Sequence, residues 1–136
     1  MHNTNNFDRE RDALKVVGLR PTRQRIELLH LLMSQGDRHV TAESLHLETR
    51  QSGISVSLAT VYNTLNQFTD CGLLTRLAIE PGKTYFDTNN TEHHHFYDEN
   101  LQTLTDVPFE AISCTRLPEP PEGKKVCGVD IVVRIS

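Results

Sequence analysis

The feature that most constrains the fold is a change of hydrophobic period at Gly72. Before it, apolar residues recur at helical intervals of three and four; after it, they fall in short runs broken by turn residues, as strands do. Four helices are expected in the first stretch. Residues 7–17 form a modest amphipathic helix that Gly18 stops, and a second begins at Thr22, carries Ile26, Leu29, Leu32 and Met33, and stops at Gly36. Thr41 can cap a third, with Leu45 and Leu47 ahead of Gly53. Ser57 can cap a fourth, in which Leu58, Val61, Leu65 and Phe68 face a core and Gly72 is the stop. Residues 73–79 and 84–87 then flank Glu80-Pro81-Gly82-Lys83, whose Pro-Gly pair signals a hairpin. Helices closed by such a hairpin give the layout of a winged helix-turn-helix, whose last helix enters the DNA major groove. A small helical module with another purpose would show the same pattern, so the residues on the fourth helix have to decide.

That helix sorts into two faces. Ser57, Thr60, Asn63, Thr64 and Gln67 point away from the apolar side, with Tyr62 at the border, and no charged residue occurs between Gly53 and Asp70. A merely solvated face would carry Lys and Glu. Short hydroxyls, amides and a phenol can instead approach base edges and phosphates. Net charge is −4, which argues against a nucleic-acid partner until the charge is located. Up to Thr91 there are 10 basic and 10 acidic side chains, and beyond it 4 basic and 8 acidic, so the whole excess sits in the last third. The stretch from Arg9 to Arg25 holds six basic residues against Glu10 and Asp12. A basic leading edge with an acidic tail region suggests two modules with different partners.

The second module opens on Glu92-His93-His94-His95-Phe96. On a strand, alternation puts His93 and His95 on one face and His94 on the other. Asp87 ends the preceding strand, residues 101–105 can return beside the histidines with Asp106 at their end, and His39 lies in the loop before the third helix. Three imidazoles and two carboxylates suit Mn²⁺, Fe²⁺ or Zn²⁺ better than Mg²⁺ or Ca²⁺. A surface histidine run with no role is the competing reading. Val129, Ile131, Val133 and Ile135 alternate in a last strand, and residues 118–123 are a proline-rich surface connection. Cys71, Cys114 and Cys127 are an odd, widely spaced set with no C-x-x-C pair, which fits a reducing cytoplasm rather than a disulfide framework. No apolar run approaches the roughly 20 residues that span a bilayer, and Met1 to Asn6 lacks a signal pattern, so export and membrane insertion are not expected.

Gly18-Leu-Arg-Pro-Thr-Arg-Gln-Arg25, His39-Val-Thr-Ala-Glu43, Ser57-Leu-Ala-Thr-Val-Tyr62, Cys71-Gly-Leu-Leu74, Tyr85-Phe-Asp87 and His93-His-His95 occur in the order seen in the ferric uptake regulator family. The chain resembles that family from about Asp8 to Asp106, and within it looks most like the iron response regulator branch, by Thr60-Val-Tyr-Asn-Thr-Leu65, His93-His-His-Phe96 and Val129-Asp-Ile-Val-Val-Arg134. The resemblance implies an α+β chain, with a winged helix-turn-helix DNA-binding domain over residues 1–88 and a small α/β dimerisation and sensing domain over 89–136. The implied protein is a cytoplasmic homodimeric repressor of iron and haem homeostasis genes, not an enzyme, and binds A·T-rich palindromic operators. It implies a regulatory Fe²⁺ or Mn²⁺ site, with Zn²⁺ able to substitute in vitro, on His39, Asp87, His93, His95 and Asp106, which fixes the angle between the two halves. DNA contacts fall on Ser57, Thr60, Tyr62 and Asn63, with Lys15 and Arg20 on the backbone or minor groove. A peroxide or manganese sensor of the same family is the alternative.

Three departures from the pattern of the resembled family stand in the sequence. Asp98 stands where the first cysteine of a structural zinc site would be, so no Cys₄ zinc is expected. Only His94 is available for a second metal site of the dimer domain. No cysteine precedes a proline, so the Cys-Pro haem motif of some iron response regulators is missing; haem would be bound through His93, His94 and His95, with His94 as axial ligand, and haem or a haem-pathway protein is the further partner expected.

Overall fold

The computed structural model describes residues 7–136; the polar Met1 to Asn6 stretch, read above for a signal pattern, lies outside them. The chain divides into two compact units, Met1–Asn90 and Thr91–Ser136. The first runs α1 (Asp8–Val16), α2 (Arg23–Met33), β1 (His39–Val40), α3 (Ala42–Gln51), α4 (Leu58–Asp70), β2 (Thr75–Glu80) and β3 (Lys83–Asp87). Its helices start where the hydroxyls are. Thr22 Oγ1 accepts the Arg25 N–H, Thr41 and Ser44 form a reciprocal capping box, and Ser57 Oγ accepts the Thr60 N–H at 3.1 Å. α4 ends in a Schellman motif: Gly72 N–H donates to the Thr69 carbonyl and Leu73 N–H to that of Phe68, with Gly72 at φ 88°. Only glycine takes that φ without strain.

The core of this unit joins Leu14 of α1, Leu32 of α2, Leu45 of α3 and Val61, Leu65 and Phe68 of α4, all fully buried, with Phe86 of β3. The inward stripe of α4 is rotated from the expected one. Thr64 is buried, while Leu58 at the first helical turn is 36% exposed, so the apolar face runs Val61, Thr64, Leu65, Phe68 at i, i+3, i+4, i+7. The three-stranded sheet has the order β1-β3-β2. His39, expected in a loop, lies in the two-residue strand β1 opposite Asp87, because the buried Val40 beside it pairs with Phe86 of the core. A strand that short shows no period in a sequence.

The second unit holds β4 (His93–Asp98), β5 (Thr103–Pro108) and β6 (Val132–Ile135) in the order β5-β4-β6, with β5 antiparallel and β6 parallel to β4. Asp98 Oδ1 accepts the N–H groups of Asn100 and Leu101, and Gln102 adopts φ 54°. This wider turn delays β5 to Thr103, so Asp106 lies inside the strand opposite His95 and not at the end of a 101–105 strand. Its helical content is a single 3₁₀ turn, Phe109–Ala111, and not an α-helix; residues 112–131, with three prolines, make the long crossover that a parallel pairing requires without regular structure. Regular pairing of the last strand begins at Val132, later than the alternation from Val129 suggests. No helix among the described residues is long and apolar enough to cross a membrane.

Candidate metal centre and nucleic-acid face

In the second unit the hydrogen bond on the far side of the His93 ring sets what its other nitrogen can do. The Thr91 carbonyl faces His93 Nδ1, and a carbonyl can only accept, so the proton of the neutral imidazole sits on Nδ1 and Nε2 carries the lone pair. Nε2 lies 3.4 Å from Asp106 Oδ1, and His95 Nε2 lies 3.6 Å from the same oxygen. The His93 and His95 rings meet edge-on at 4.5 Å between centroids. The side chains of His93 and His95 are 9% and 5% exposed, that of Asp106 about a third. One nitrogen from each ring and one carboxylate oxygen thus lie within 4.8 Å of one another, a two-histidine, one-carboxylate set with room for further ligands. A backbone carbonyl holding Nδ1–H is the usual outer partner of a ligating histidine.

The first unit supplies a separate pair. Asp87 is fully buried at the end of β3, its Oδ1 accepting the Asn89 N–H at 2.9 Å and its Oδ2 lying 3.2 Å from His39 Nε2. The pair consists of a nearly buried imidazole and a buried carboxylate, aligned by the β1–β3 register.

His94 differs from its neighbours. The Ile131 N–H donates to His94 Nδ1 at 3.2 Å, which puts the proton of the neutral ring on Nε2. A ring in that tautomer offers a metal no lone pair at Nε2. His94 is buried, stacks on Phe109 at 5.2 Å, and faces a cleft of about 830 Å³ that Ile112, Leu117, Val126, Cys114 and Cys127 also line. Glu92, Glu110 and Asp130 line it too, and no Lys or Arg does. The cleft thus combines apolar walls and carboxylates around a His94 ring whose Nδ1 already accepts the Ile131 N–H.

On the first unit, α4 presents its polar face. Tyr62 is 37% exposed and Asn63 is exposed. Ser57 stands exposed at the helix start, its hydroxyl accepting the Thr60 N–H and donating to Thr60 Oγ1. Lys15 lies exposed in the last turn of α1 and Arg20 exposed between α1 and α2. Two positions that sequence reasoning missed act as braces. Arg25 of α2 donates from Nε and Nη2 to Gln67 Oε1 of α4, and Arg76 of β2 donates to Asn66 Oδ1 of α4 at 2.9 Å. The polar pair Asn66-Gln67, uncharged and one helical turn beyond Asn63, was the available signal.

The sequence profile described as the ferric uptake regulator family matches residues 16–120. The chain belongs to the ferric uptake regulator family. It is 43% identical over 82 residues to the ferric uptake regulation protein of Shigella flexneri, a match covering 60% of this chain and 55% of that one, and 42% identical over 82 residues to that of Escherichia coli K12. The chain thus spans about half the length of the curated relatives it matches. By fold it is similar to the Pseudomonas aeruginosa ferric uptake regulator with manganese, at a TM-score of 0.71 and 24% identity over 93% of this chain and 96% of that one. It is also similar to the Vibrio cholerae ferric uptake regulator, at 0.71 and 24% over 91% and 96%, and to the Campylobacter jejuni peroxide stress regulator, at 0.59 and 22% over 99% and 96%. These likenesses carry the α+β fold with its N-terminal winged helix.

Proposed function

We propose that this chain is a metal-responsive transcriptional regulator: a homodimer that binds A·T-rich palindromic operator DNA through α4, with its DNA affinity set by a divalent cation. The single observation that carries the reading is the state of His93, whose Nδ1 proton is held by a carbonyl while Nε2 turns its lone pair toward Asp106 and His95. One Fe²⁺ or Mn²⁺ ion, with Zn²⁺ able to substitute, is shared between that trio and the His39 and Asp87 pair. Three imidazoles and two carboxylates then complete a five-ligand shell of the softness those ions favour, and the shared ion fixes how the DNA-binding unit is held. Tyr62 and Thr60 meet the major groove with Ser57 and Asn63 beside them, and Lys15 and Arg20 the backbone or minor groove.

Dimerisation runs through the second unit. Its 46 residues can build only a small core, β6 lies at a sheet edge, and Phe109, Leu117, Val126 and Ile135 are exposed apolar side chains. Among effectors we rank the metal ahead of haem, since haem at His94 would have to break the Ile131 hydrogen bond to gain a lone pair. Iron homeostasis, as in the iron response regulator branch, is the regulon we assign.

Fluorescence anisotropy with an A·T-rich palindromic duplex and apo, Mn²⁺-loaded and haem-loaded protein tests the reading. Metal-dependent binding that His93→Ala and Asp106→Ala abolish is the expected result. Absence of DNA binding in all three states would overturn it. Exposure of the Fe²⁺ form to peroxide separates the iron regulator from a peroxide sensor, because only the sensor gains an oxygen on His39 or His93 by mass spectrometry.

A further inference from the structure

The polar face of α4 is interrupted by a cleft of about 250 Å³ between its middle turns and the start of α2, lined by Arg20, Gln24, Arg25, Thr60, Asn63 and Gln67 among others. No carboxylate lines it, in contrast to the acidic cleft beside His94. The Arg25 guanidinium is fixed on two sides: Nε and Nη2 donate to Gln67 Oε1 at 3.3 and 3.2 Å, and Nη1 donates to the Arg20 carbonyl at 2.9 Å. These bonds use three of its five N–H groups and leave two unspent. Because the Gln67 oxygen accepts both bonds from Arg25, the amide NH₂ of Gln67 is turned away from that guanidinium as a donor. The Arg20 side chain makes no hydrogen bond or ion pair within the described residues, and its charge stands at the rim of the cleft.

We propose that this cleft is the seat of one backbone phosphate of the bound DNA, with Arg25, held by Gln67, as its fixed donor and Arg20 as its mobile one. The inference rests on the reading of α4 as the DNA-binding helix and adds how that helix is aligned. The tetrahedral, singly charged diester suits a concave site of two guanidinium groups and neutral amide and hydroxyl donors. The α2 side of the cleft is braced to α4 through Gln67, so the phosphate sets the depth and rotation of α4 over the bases. Thr60 and Asn63 line this cleft too, so the phosphate seat adjoins the groove-facing residues around Tyr62.

The test measures the salt dependence of binding to an A·T-rich palindrome and to a random-sequence duplex. Each neutralised phosphate contributes about 0.9 to the slope of log K against log salt. For a homodimer, Arg25→Gln removes one contact per protomer, so the slope should fall by roughly twice that and affinity should drop on both duplexes alike. Arg20→Gln, which removes no intramolecular side-chain bond, should act the same way. Arg25→Lys and Gln67→Ala keep the charge and should keep the slope, with binding several-fold weaker because the donor is no longer held. An unchanged slope in Arg25→Gln, or a loss confined to the palindrome, would overturn the seat while leaving DNA binding standing; a wild-type chain that binds neither duplex takes the parent reading down as well. Inorganic phosphate is the second probe. Saturating NMR shifts of the Asn63 and Gln67 side-chain amides at millimolar phosphate without DNA would assign the cleft to a free anion and overturn the DNA assignment, and silence there supports it.

Discussion

In the first unit the fully buried side chains are mostly apolar and come from every helix, Leu14, Leu32, Leu45, Val61, Leu65 and Phe68 among them, whereas the second buries Tyr97 and Val107 beside two imidazoles, His94 and His95. Apolar burial is complete once the chain has folded. Buried imidazoles depend on what lies against them, here the Ile131 N–H for His94 and, 3.6 Å away, the Asp106 carboxylate for His95. The contrast separates a unit whose stability is internal from a sheet whose stability is open to linkage with whatever binds its imidazoles.

The sharpest way to break that contrast is to cut the internal core. Phe68→Ala, at a fully buried position, should cost about 3–5 kcal/mol, and hydrogen exchange should place the loss in α1 to α4 whether or not metal is present. Next comes metal. Mn²⁺ at roughly a hundred times its dissociation constant should stabilise the folded protein by about 2.7 kcal/mol, seen as added exchange protection in β4 and β5; Asp106→Asn should erase most of this gain, and an equal gain in the variant would place the ion elsewhere. Thr41→Ala removes one half of the capping box of α3 and should cost about 1 kcal/mol by urea unfolding, independent of metal. The smallest effect is expected at the exposed Arg134 and Glu99 pair, 3.5 Å apart; a double-mutant cycle there should give no more than about 0.5 kcal/mol. A larger value would mean that β6 depends on this ion pair more than on its pairing with β4.

Much of the first unit was legible because its signals are local. Thr22, Thr41 and Ser57 each cap the helix they precede, and Gly72 stops α4, all within four residues of the backbone groups they satisfy. β1 was not legible, since two residues have no period and only the pairing of Val40 with Phe86 makes them a strand. Asp106 was read as a ligand, but its place inside β5 follows from a turn in which Asp98 caps two N–H groups. The Arg25 and Gln67 brace joins residues 42 positions apart and leaves no mark on either neighbourhood.

The sequence by itself determined the order of elements, the segregation of charge and the identity of the donor side chains, because caps, turn residues and residue chemistry act over a few bonds. Tertiary structure alone decided what those donors can do. His93 and His94 are the same residue on the same strand. One is held by a carbonyl two residues away, and the other by an amide that reaches β4 only because residues 112–131 cross over to lay β6 parallel to it. The partner at Nδ1 decides which ring nitrogen carries the proton, and so whether Nε2 presents a lone pair or an N–H.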